Sequence, residues 1–144
     1  MRADILFFAI LGIAAAPAIA DSGSCSQQTT RGYWGYTCEG EYPVGQPVRL
    51  LGTCTSSKTA FWQCNGSANL SGAFVLPQVL NGQAYNASDC TGTITYTQTL
   101  GGEPAPDLHI NYVILDQGGA IQGLPTNSGQ VLACSLKRIT MTAP

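Results

Sequence analysis

The single histidine of the chain, His109, follows Asp107 by two residues, so on an extended strand the two side chains share a face. A carboxylate that orients an imidazole supplies two members of a nucleophilic triad. The third has no local signature, since the chain contains no Gly-x-Ser-x-Gly elbow. The pair therefore reads first as a solvent-facing couple on the polar side of a strand, with a small hydrolase as the sharper alternative. Glu39 and Glu41 pose the same question, because glycoside hydrolysis uses two carboxylates across the scissile bond. They lie in the Gly/Pro-punctuated segment 39–47 and read as a solvated acidic turn. No catalytic residue is assigned on this basis.

The aromatic run Gly32-Tyr33-Trp34-Gly35-Tyr36 is the strongest binding signal. Flat rings with polar tips give contact area at low entropic cost, which suits a sugar ring or a protein partner. Tyr33, Trp34 and Tyr36 are the expected contact residues; the competing reading puts Trp34 in the core with the tyrosines beside it.

The six cysteines, Cys25, Cys38, Cys54, Cys64, Cys90 and Cys134, form an even set with no Cys-x-x-Cys pair and one histidine to accompany them. That excludes the usual zinc spacing and points to disulfides. Pairing of near neighbours, Cys25–Cys38, Cys54–Cys64 and Cys90–Cys134, is the favoured connectivity among the 15 that six cysteines allow.

Residues 1–20 carry a short charged start, the apolar run 5–16 and the small-x-small end Ala18-Ile19-Ala20, which reads as a secretory signal peptide. Residues 21–144 are then one secreted domain, without a second apolar run of spanning length. Asn65-Gly66-Ser67, Asn69-Leu70-Ser71 and Asn86-Ala87-Ser88 are N-glycosylation acceptors in expected loops. The formal net charge of −2 and the scarcity of Lys and Arg argue against a nucleic-acid partner. No cofactor or metal is expected.

The elements that would position these residues are short strands. Thr91–Leu100 alternates, with Ile94, Tyr96, Gln98 and Leu100 on one face and threonines on the other. Leu108–Leu115 follows, with 108, 110, 112 and 114 inward. Val48–Gly52 and Thr59–Cys64 read as a hairpin with Cys54 and Cys64 near its ends. Residues 65–72, 101–107 and 117–129 read as loops, Pro77 as a break or an edge, and Asn81-Gly82 as a turn. Residues 130–141 close the chain. The sum is an all-β, disulfide-stapled antiparallel sandwich or barrel in one small domain.

Residues Gln78-Val79-Leu80-Asn81-Gly82 resemble the Gln-x-Val-x-Gly loop of cystatin-type protease inhibitors, with Leu80 where that pattern has valine. The resemblance covers five residues and implies a loop acting on a protease. Cystatins carry a long helix before that loop, and no helical period precedes it here. The function expected of the whole is a secreted, glycosylated, non-enzymatic binding module for a glycan or an extracellular protein. A structural matrix or wall glycoprotein, and a secreted inhibitor or effector, are the alternatives.

Overall fold

The computed structural model describes residues 23–139. The expected signal peptide lies outside the described residues. Eight strands run β1 Gly32–Glu41, β2 Pro47–Ser56, β3 Phe61–Leu70, β4 Phe74–Asn86, β5 Thr91–Leu100, β6 Glu103–Leu115, β7 Ala120–Pro125 and β8 Val131–Arg138. Each pairs antiparallel with the next, and β8 pairs back onto β1 from Glu41↔Val131 to Trp34↔Arg138, so the sheet closes into an up-and-down barrel. Closure gives every strand a neighbour on both sides, although the β6–β7 and β7–β8 ladders cover only part of those strands.

Side chains alternate in and out with the two-residue strand period. Through the middle of β1 to β6 the even-numbered residues point inward, and Trp34, Leu50, Trp62, Leu80, Ile94 and Ile110 among them are buried. The outward positions mix Thr, Asn, Gln and Ser with exposed apolar residues such as Leu51, Phe61 and Val79.

Three tyrosines fill the interior by packing across glycines directly opposite them: Tyr36 over Gly52, Tyr96 over Gly82 and Tyr112 over Gly92. A methyl group on Gly82 would approach Tyr96 Cδ1 to 2.6 Å, and one on Gly52 would approach Tyr36 Cε1 to 2.6 Å. A ring laid over a cross-strand glycine replaces the missing side chain. Asn81-Gly82 is therefore mid-strand and not a turn, and its glycine answers a ring fourteen residues away. Pro77 does not break β4 either. Its carbonyl accepts from Gly101 N at the point where β5 has run out, so the missing N–H faces no ladder partner. Likewise residues 65–70 continue β3, 103–107 begin β6, and 120–125 form β7; the loops expected there shrink to tight tips.

Three disulfides staple the fold: Cys25–Cys90, Cys38–Cys134 and Cys54–Cys64. The expected pairing holds for Cys54–Cys64 and fails for the other two. Closure is the reason: it sets β1 beside β8, so Cys38 meets Cys134 across the seam, which leaves Cys25 to reach Cys90.

Residues 25–31 fold as turns across one end of the barrel. Thr30, fully buried, accepts the Trp34 Nε1–H at its carbonyl, 2.9 Å. Arg138 from β8 stacks 4.6 Å from the Trp34 ring and donates to the carbonyls of Gly118 at 2.9 Å, Thr29 at 2.7 Å and Arg31. Burial lowers the pKa of this guanidinium, which keeps its charge through the cation–π and hydrogen-bond contacts.

Candidate functional site: a groove on the outer face

The interior offers little room for a ligand. Trp34 and Trp62 meet with ring centroids 5.7 Å apart towards the plugged end. Farther along, Tyr36 donates to Gln78 Oε1 at 2.9 Å, and Gln78 Nε2 donates to Gln98 Oε1 at 3.3 Å. Burial pushes the Tyr36 and Tyr112 phenols up to about 12, and pushes Tyr96 up further still. A phenol held neutral in this way is a structural donor and not a proton carrier at neutral pH.

The outer face does have a recess. One rung around the barrel runs Gly92–Tyr112–Gly123–Cys134–Cys38 from β5 to β1. Every residue of that rung faces the interior, and the Cys38–Cys134 pair holds the Cα atoms of β1 and β8 4.0 Å apart. The wall dips along this line, and the outward residues on either side stand above it as rims. Thr93, Asn111, Gln122, Val113, Leu124 and Tyr85 line the resulting groove. Tyr85 is 64% exposed at the end of β4. Among the described residues, the side chains of Thr93, Asn111 and Gln122 make no hydrogen bond to protein, so their donors and acceptors face solvent. Glu39 is the one charged residue lining the groove. At one end Thr91 donates its hydroxyl and its N–H to Asp89 Oδ1, at 2.7 and 3.0 Å, and the hydroxyl bond chiefly holds that carboxyl below its ordinary range.

The residues expected from sequence distribute differently. Trp34 and Tyr36 are interior, Tyr33 alone of the aromatic run is exposed, and the three form no common surface. The reason is the strand period: 34 and 36 share the inner face and 33 takes the outer. Asn65 is exposed on β3, and Asn69 is half-buried with its Oδ1 accepting from Gly72 N at 2.9 Å. Asn86 is 5% exposed. Its Nδ2 donates to Ser26 O at 2.9 Å and Thr30 Oγ1 at 3.1 Å, and its Oδ1 accepts from Tyr112 Oη. His109 is exposed with Nδ1 3.0 Å from Thr95 Oγ1, and its own N–H and the Asp107 carbonyl are both bonded to the Asn127 side chain. Glu39 faces Arg49 at 3.7 Å, whereas Glu41 accepts from Gly45 N at 2.7 Å. The two carboxylates thus serve different partners. Residues 78–82, which resemble the cystatin loop, lie within β4 with Gln78 and Leu80 buried, so they present no loop.

The sequence reads a turn at Asn81-Gly82 joining 74–80 to a short strand near 83–86, which hides Tyr85 as the end of one long outward row. Carried through, the alternation Val79, Asn81, Gln83, Tyr85 marks an outward row with two amides at its middle and one aromatic at its end. Among the described residues no helix is long and apolar enough to cross a membrane, and no cluster of three or more metal-ligating side chains occurs. Compared with protein-family models, with curated proteins and with solved structures, the chain matches none.

Proposed function

We propose that this is a secreted, non-enzymatic binding module whose ligand is an uncharged glycan held in the outer groove beside Tyr85. The observation that carries the reading is the lining: one exposed aromatic ring, unpaired amide and hydroxyl groups at Asn111, Gln122 and Thr93, and no Lys or Arg. Sugars offer an apolar ring face and a rim of hydroxyls, and that combination meets both. The disulfides suit an oxidising, extracellular setting. N-glycans belong at Asn65 and Asn69, whose side chains reach the outside.

The test is a glycan and polysaccharide panel probed with the full secreted chain. Binding should be lost in Tyr85→Ala and weakened roughly tenfold in Asn111→Ala, on the scale of one lost hydrogen bond. Tyr33→Ala should bind like wild type. Unchanged binding in Tyr85→Ala would move the site elsewhere, and a panel without any binder would remove the glycan reading.

A further inference from the structure

The end of the barrel opposite the plug has a character of its own. Four tips meet there: 42–46, 71–73, 101–102 and 126–130. They are contiguous round the rim. Ser71 N donates to Pro47 O, Glu41 is opposite Val131, and Gly101 N donates to Pro77 O. None of the four tips contains a charged residue. Instead the rim exposes Val44, Phe74 and Val75, each about two-thirds open to solvent, with Val131 and Tyr42 beside them. Glu41, the nearest carboxylate on β1, is turned back onto Gly45 N.

From this we infer that the tip end of the barrel is a docking surface for a zwitterionic phospholipid bilayer. Three features select that occupant. The patch holds no Lys or Arg and, besides Glu41, one flanking carboxylate, exposed Glu103 after the tip 101–102, so it matches a neutral headgroup layer and gives nothing to an anionic one. The five side chains expose on the order of 500 Å², at the high end for a monomer's open apolar patch but short of the ~800 Å² per partner of a stable protein interface. The surface is also a ring of separate protrusions. Two such convex ends meet poorly, whereas a fluid interface closes around each tip. Aromatic and aliphatic side chains on short protrusions suit the headgroup–acyl boundary, where Tyr42 keeps its hydroxyl wet. Asn69 stands opposite Val75, so a glycan there would cover part of the patch.

The experiment is flotation of the enzymatically deglycosylated full chain with phosphatidylcholine vesicles, with and without phosphatidylserine, at low and high salt. The wild type should float with pure phosphatidylcholine, unaffected by salt or by the anionic lipid. Val44→Asp and Phe74→Asp, each shown folded by near-ultraviolet dichroism, should lower the bound fraction at least tenfold, and Tyr85→Ala should not. Failure to float with phosphatidylcholine, flotation that requires phosphatidylserine and vanishes in salt, or tip variants that float like wild type would each overturn the inference. A concentration-dependent dimer abolished by Phe74→Asp, without flotation, would overturn it in favour of a second copy. The glycan panel reports on a different face, so either result stands without the other.

Discussion

Tyr36, Tyr96 and Tyr112 can occupy the barrel because each faces a hydrogen atom where another residue would place a side chain. Gly82→Ala sets a methyl against both Tyr96 and the Thr95 backbone, so it should destabilise by about 1–3 kcal/mol, as overpacking does. Chemical denaturation checks this, and the paired Gly82→Ala/Tyr96→Leu variant should recover part of the loss. The same tyrosines set the alkaline limit. Their folded-state pKa values are raised by burial, so their contribution is fully present below the unfolded phenol value of ~10 and is lost as pH climbs through about 12. Stability should therefore fall from about pH 10 upward, with interior phenolate absorbance appearing together with unfolding. At Asn86 the amide is already committed to Ser26, Thr30 and Tyr112. Mass mapping of the secreted chain should find Asn86 without sugar, and Asn86→Ala should cost about 1–3 kcal/mol by stranding buried partners.

At the scale of elements, the plug over residues 25–31 is held by Cys25–Cys90, the Asn86 amide, Trp34 Nε1 and the Arg138 guanidinium. Replacing Cys25 and Cys90 with alanine should cost about 2–4 kcal/mol. Limited proteolysis should then cut at Arg31 before any strand. How far these elements were legible follows from what fixes each one. Thr91–Leu100 and Leu108–Leu115 alternate on their own; the structure has the first as read and starts the second five residues earlier, at Glu103. Strand β4 does not announce itself, because Pro77 and Gly82 carry turn signals whose meaning depends on β5: one sits where β5 ends and the other under a β5 ring. The plug was invisible for the same reason, since its partners Arg138 and Asn86 are distant in the chain. Of the groove, the outward rows could be read from alternation, but which outward residues of β5, β6, β7 and β8 flank one another is revealed only by the register.

For the whole molecule, the all-β class and the presence of disulfides followed from composition and spacing, but closure decided what is finer: the pairing of the first strand with the last and two of the three disulfides. Removing the seam bond by Cys38→Ala/Cys134→Ala should cost roughly 4–5 kcal/mol in the chain-entropy view, since it closes a loop of nearly a hundred residues. Thermal unfolding under oxidising conditions checks this against Cys54→Ala/Cys64→Ala, whose short loop should cost less. The seam has another effect. Because Cys38 lies in the first strand and Cys134 in the last, the sequence between them is a covalent ring. A protease that nicks any one tip from 42 to 130 leaves both fragments tied together, with the barrel wall interrupted at one point only. Such a cut creates new termini without releasing a piece, so the nicked protein should run at full mass until it is reduced.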